Sequence, residues 1–82
     1  MKLTVYTGTN CPWCHKVIGE LTKTNHVIRI VHIKHNQKAL KFLQEKGLNT
    51  VPQVFIQDEL HIGGYEDTIE WLKTRNEYKE AT

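Results

Sequence analysis

Cys11 and Cys14 are the only cysteines in this 82-residue chain, and they stand where a short apolar run gives way to a helical pattern. Two intervening residues bring both sulfurs onto one helical turn within bridging distance. The fold must therefore deliver a strand directly to a helix start and leave the first sulfur within reach of solvent. One such pair is too few for the disulfide framework of a small secreted domain. In a reducing compartment the same spacing points to redox chemistry or to a metal.

The surrounding pattern supplies the strand and the helix. Lys2 to Tyr6 alternates with high strand propensity, and Thr7 to Asn10 forms a loop. Pro12 suits the first helical position, where no backbone donor is required, so Cys11 is the expected N-cap of a helix running to about Lys23. Cys14, Val17, Ile18 and Leu21 share one helical stripe, which turns Cys14 inward. After a polar break at Thr24 to His26, the branched run Val27 to Ile33 reads as a central strand interrupted by Arg29 and His32.

Asn36 is the expected N-cap of a second helix, with Ala39, Leu40, Phe42 and Leu43 as its apolar side, Lys46 in the last turn and Gly47 as the stop. Beyond Thr50-Val51-Pro52-Gln53, strands at Val54 to Ile56 and Leu60 to Ile62 form a hairpin around Gln57 to Glu59. Gly63-Gly64 permits a tight excursion of the backbone. Asp67 with Glu70 fits a capping pattern for a last helix to about Lys73, with Ile69 and Leu72 buried. The order β-α-β-α-β-β-α predicts an α/β fold: a four-stranded mixed sheet flanked by three helices, in one domain over residues 1–82. Residues 76–82 are charged and unpatterned, and are expected to fray.

The net charge of +2 is spread among acids rather than gathered on one face, which argues against nucleic acid as a partner. The apolar run near Lys2 is cut at Thr7, Gly8 and Thr9, far short of a signal-peptide core or a membrane span. The expectation is a cytoplasmic monomer with no membrane partner.

The reactive form of cysteine is the thiolate, and a free cysteine has a pKa of about 8.5. Cys11 at a helix N-terminus faces unpaired N–H groups and the positive end of the helix dipole, both of which favour S⁻. Cys14 lies one turn inside. Cys11 is therefore the expected nucleophile on a substrate disulfide, and Cys14 the residue that resolves the mixed disulfide. Structural zinc normally takes four ligands; His15, His26, His32, His35 or His61 could make up the count, yet no second pair has ligand spacing. The site is accordingly read with no metal. Trp13 is either a packing residue or an exposed aromatic against the substrate, and its place between the cysteines favours the second.

Three segments in order, Cys11-Pro12-Trp13-Cys14, Thr50-Val51-Pro52-Gln53 and Gly63-Gly64-Tyr65-Glu66-Asp67, resemble the glutaredoxins of the thioredoxin-fold superfamily, in particular the small bacterial or phage dithiol type. The resemblance spans nearly the whole chain. It implies a thioredoxin fold and an oxidoreductase that uses glutathione as reducing co-substrate, with no tightly bound cofactor. Its partners would be glutathione and disulfide-containing or glutathionylated proteins, with ribonucleotide reductase a usual client of the family.

The resemblance also implies a cis bond before Pro52, with the Val51 backbone offered to the cysteinyl part of glutathione and Thr50 lining the groove. Tyr65, Glu66 and Asp67 would receive the γ-glutamyl end: first-turn N–H groups suit its carboxylate, and the Asp67 carboxylate suits its ammonium. Many family members carry Lys or Arg two or three positions before the first cysteine, where this chain has Gly8, Thr9 and Asn10. Gln37 or Lys38 is then the candidate for the glycyl carboxylate. Two rival readings stand beside this one. A thioredoxin-like reductant recycled by a flavoprotein reductase is opposed by the Gly63 to Asp67 segment. A glutathione-coordinated iron–sulfur cluster carrier is opposed by Pro12, which related cluster binders tend to lack.

Overall fold

A computed structural model describes residues 1–78 of the chain. It contains β1 (Lys2–Thr7), α1 (Pro12–Thr22), β2 (Val27–His32), a 3-10 turn (Ile33–His35), α2 (Gln37–Glu45), β3 (Gln53–Ile56), β4 (Leu60–Gly63) and α3 (Tyr65–Thr74). The strands form one sheet in the order β2-β1-β3-β4. β2 runs parallel to β1, while β3 and β4 run antiparallel to their neighbours. The expected element order and mixed sheet are therefore present.

The centre of the sheet differs from the sequence expectation. β1 carries the unbroken buried run Leu3 to Thr7, whereas β2, expected in the middle, is an edge strand. Val27 and Ile30 of β2 are 62% and 53% exposed. Branched residues favour a pleated strand wherever it lies, so a run of them does not report how many neighbours the strand has.

Alternation along the strands divides the core between the two faces of the sheet. Leu3, Val5 and Val54 meet Val17 and Leu21 of α1 and Ile69 and Leu72 of α3 on one face. Tyr6, Val31 and Phe55 meet Ala39 and Leu43 of α2 on the other. Complete burial of a Leu or Phe side chain stabilises by about 1.5–3 kcal/mol, so these few large residues dominate a thin core.

The helix ends obey their local chemistry with one exception. Asn36 caps α2, its Oδ1 accepting from the Ala39 N–H, and Gly47 ends that helix at φ +73°. At α3 the capping pattern built on Asp67 is not used: the helix begins three residues earlier, at Tyr65, its N-cap is Gly64, and no side chain caps it. Asp67 sits inside the first turn. The Thr68 hydroxyl and N–H both bond back to the Gly64 carbonyl, which starts the helix without a side-chain cap.

Of the segment expected to fray, Asn76 to Tyr78 lie within the described residues and make contacts with the rest of the fold. The Glu77 carboxylate meets His26 Nε2 at 3.0 Å and Arg75 Nε at 2.8 Å, and Tyr78 packs against the α1/α3 side of the core. Residues 79–82 lie outside the described residues. Among the described residues no helix is long and apolar enough to cross a membrane.

Candidate functional site

Asn10 takes φ +53° at the end of the loop after β1, a conformation asparagine tolerates, and presents Cys11 to the start of α1. Cys11 is extended (φ −117°, ψ 93°) and is the N-cap, with Pro12 in the first helical position. The Cys14 N–H donates to the Cys11 sulfur over 3.2 Å. The two cysteines are joined as a disulfide with their Cα atoms 5.2 Å apart. Cys11 is half-buried and Cys14 fully buried, so the two sulfurs differ in access as the helical stripe predicts.

Val51 approaches from across the sheet end. Its carbonyl oxygen lies 3.6 Å from the Cys11 sulfur, a van der Waals contact in the disulfide that a reduced thiol would convert into a weak S–H donation. The Val51–Pro52 peptide bond is cis. Among the described residues the Val51 N–H has no backbone acceptor, which leaves it available to a ligand.

A groove of about 480 Å³ opens beside the dithiol. Its wall includes Trp13, Thr50, Val51, Pro52, Tyr65, Glu66 and Asp67. Cys11 adjoins this wall through Val51, and Cys14 lies beneath. Trp13 is 51% exposed; its ring tilts against Tyr65 at 5.1 Å between centroids, and the Lys16 ammonium lies 4.5 Å from its ring centre. Trp13 is therefore groove wall rather than core, in contact with Tyr65 and Lys16.

At the far end the first turn of α3, Tyr65 to Asp67, lines the groove, and its N–H groups lack helical acceptors, as at any helix start. The Asp67 carboxylate closes against Gly63. That glycine has φ +135°, and a Cβ there would meet the Asp67 side chain, with its Cγ at 2.8 Å. Only glycine fits both the backbone angle and the carboxylate.

Neither Gln37 nor Lys38 lines the groove, and no Lys or Arg is among its wall residues. Gly8, three positions before Cys11, is one of the two places where the resemblance leads one to expect a basic residue. A Cβ on Gly8 would lie 3.0 Å from a Val51 methyl. Among the described residues no three His, Cys, Asp or Glu side chains are grouped to hold a metal.

Leu48, Gln53, His61, Gly63 and Gly64 complete the wall. Gln53 and His61 were not anticipated as groove residues from sequence. Strand alternation carries the missing signal, because Gln53 lies two residues from Phe55, and His61 pairs with Phe55 across the hairpin. Both side chains thereby reach the same face beside the cis-proline turn.

The glutaredoxin family model matches residues 3–62. Glutaredoxin 1 of Rickettsia typhi is 36% identical over 66 residues, covering 77% of this chain and 62% of its own length. The chain thus spans less than two thirds of that relative. Glutaredoxin 3 of Escherichia coli K12 is 36% identical over 64 residues, covering 77% of this chain and 76% of its own. Among solved structures, the glutaredoxin-like protein NrdH-redoxin from Escherichia coli, described as having a thioredoxin-like activity profile, matches with a TM-score of 0.73 over the whole of both chains at 20% identity. At that identity the match shows the fold, which is the thioredoxin fold.

Proposed function

The chain belongs to the glutaredoxin family, an oxidoreductase family here carrying the Cys11–Cys14 pair, and from that premise we propose that it is a glutathione-dependent thiol–disulfide oxidoreductase. Its substrates are glutathionylated proteins and protein disulfides, in the cytoplasm, and it acts as a monomer with Cys11 and Cys14 as its catalytic residues. The observation that carries this reading is the groove beside Cys11 whose wall contains Trp13, Thr50, Val51, Pro52, Tyr65, Glu66 and Asp67.

On a glutathionylated protein the Cys11 thiolate attacks the glutathione sulfur, the protein thiolate departs, and Cys11 carries the glutathione. A second glutathione thiolate then attacks the glutathione sulfur of that bond, releasing oxidised glutathione and restoring the Cys11 thiolate. On a protein disulfide, Cys11 forms a mixed disulfide with one substrate sulfur. The Cys14 thiolate attacks Cys11, both substrate thiols leave reduced, and the enzyme is left with the Cys11–Cys14 disulfide, which two glutathione molecules reduce. The Cys14 N–H aimed at the Cys11 sulfur favours the negative charge that returns to Cys11 in each cycle.

In the groove, the Val51 N–H and C=O pair with the cysteinyl segment of glutathione in the manner of an added strand. The N–H groups at the start of α3 bind the γ-glutamyl carboxylate, and Asp67 accepts from its ammonium. Trp13 and Tyr65 wall the middle. Turnover with glutathione and its reductase, compared with thioredoxin reductase as electron source, tests the proposal. One observation favours the second reading, a thioredoxin-like reductant: the wall has no Lys or Arg for the glycyl carboxylate. Faster turnover with thioredoxin reductase would establish that alternative.

A further inference from the structure

Thr50, Gln53 and His61 form a hydrogen-bonded line along the groove wall. His61 Nε2 lies 2.7 Å from Gln53 Oε1, and Gln53 Nε2 donates to Thr50 Oγ1 over 3.3 Å. Gln53 is only 7% exposed, so its amide depends on these partners. The His61 ring stacks at a 35° tilt on the fully buried Phe55, 4.7 Å between centroids, which, with the Gln53 contact, orients its Nε2.

A carboxamide between two such groups gives the line a polarity. With Oε1 toward His61, the imidazole carries its proton on Nε2 and donates. The amide NH₂ then donates to Thr50, whose hydroxyl keeps its own proton for the groove. With the amide reversed, Nε2 would be bare, Thr50 would donate its proton to Oε1, and only oxygen lone pairs would face the groove. The first arrangement is compatible with imidazolium as well as with the Nε2–H neutral ring, since both donate from Nε2. The reversed one exists for the Nδ1–H neutral ring alone.

We infer that His61, acting through Gln53, is a positioning residue that holds the exposed Thr50 hydroxyl as a hydrogen-bond donor into the groove. The ligand group it selects is a carboxylate or peptide carbonyl oxygen. The inference deepens the glutathione reading, on which it rests for the identity of the ligand, because a γ-glutamyl tripeptide presents such oxygens along its whole length. Neither Gln53 nor His61 touches the reacting sulfurs; their effect passes through Thr50.

Nitrogen-15 NMR of the His61 ring in the oxidised protein tests the polarity without any substrate. The neutral ring is expected to carry its proton on Nε2, and a proton on Nδ1 would overturn the inference. The kinetic test uses Gln53→Glu, which keeps the shape but accepts at both ends and so turns the Thr50 proton inward. Its KM for a glutathionylated peptide should rise about three- to tenfold, the worth of one hydrogen bond, with kcat nearly unchanged. Thr50→Val should show the same rise, and the double variant should show no further rise.

His61→Phe, which keeps the ring stack and loses the donor, should raise KM, and His61→Gln, which restores an N–H, should recover part of it. Additive losses in the double variant, or a Gln53→Glu KM equal to wild type, would contradict the relay. If the wild type does not use glutathione at all, the glutathione reading fails on that observation alone. The ring tautomer still decides the polarity of the line.

Discussion

The Cys14 backbone N–H points at the Cys11 sulfur across 3.2 Å, so in the proposed cycle the residue that closes the disulfide also solvates the sulfur that opens the reaction. Cys11 is half-buried at the helix start and Cys14 is sealed beneath it. Substitution should separate their roles. Cys11→Ser is expected to abolish reduction of both substrate classes. Cys14→Ser should retain reduction of a glutathionylated peptide while losing most reduction of a protein disulfide. A Cys14 variant dead on the glutathionylated peptide, beside an active Cys11 variant, would reverse the assignment.

Asp67 is free of capping duty because α3 starts at Tyr65 with Gly64 as its N-cap, and this separates the proposed ligand role from helix stability. Asp67→Asn should raise the KM for a glutathionylated peptide about tenfold, the worth of one charge-assisted hydrogen bond. Its effect on the melting temperature should be small, since a first-turn carboxylate gains only about 0.3–1 kcal/mol from the helix dipole. Gly63→Ala should act differently: a Cβ there meets Asp67, and the backbone has φ +135°. A stability loss of about 1–3 kcal/mol in chemical denaturation is expected together with weaker binding.

Much of this site was legible in the sequence because its chemistry is local. The Cys11 cap, the inward Cys14 and the alternation of Leu3 and Val5 with Tyr6 each follow from one helical turn or one strand. Hidden features depended on neighbours distant in sequence. β2 reads as a central strand from its branched residues, yet its place at the edge is decided by which strands pair with β1. Asp67 and Glu70 read as a cap, but Gly64 allows the helix to begin earlier. His61 offered only a ligand type, and its meaning came from lying beside Phe55 and Gln53 across a hairpin.

Tyr6 ties the β3–β4 turn to the centre of the sheet. Its hydroxyl donates to Asp58 Oδ1 at 2.6 Å, while Arg29 reaches the other oxygen at 3.2 Å. The Arg29–Asp58 pair is largely solvated and contributes about 0–1 kcal/mol, so the Tyr6 bond should dominate. Tyr6→Phe is expected to cost about 1.5–3 kcal/mol by chemical denaturation. Burial, then the hydrogen bond and charge of Asp58, push the Tyr6 phenol well above its ordinary value. Its contribution to stability is therefore complete below pH 10 and is lost as pH rises further. Alkaline spectrophotometric titration should show one of the three tyrosines ionising late, and that component should vanish in Tyr6→Phe.

Glu77 links the end of α3 to the start of β2. Hydrogen bonds from His26 first and Arg75 second hold its carboxyl below the ordinary value of 4.5. The folded state thus binds its proton less readily than the unfolded chain. The stabilisation is present above pH 4.5 and is lost as pH falls below it toward the depressed value. Glu77→Gln should lower stability at neutral pH and flatten the loss between pH 5 and 3, read from thermal melts across that range. Parallel wild-type and variant curves would remove Glu77 from the acid response.

The central claim is that the groove beside Cys11 makes glutathione the electron donor. The most direct measurement is a coupled assay on one disulfide substrate, comparing NADPH oxidation through glutathione and glutathione reductase with NADPH oxidation through thioredoxin reductase. Faster turnover on the glutathione arm, lost in Cys11→Ser and weakened in Asp67→Asn, is the predicted result. Turnover carried by thioredoxin reductase, with an Asp67 variant indistinguishable from wild type, would contradict it.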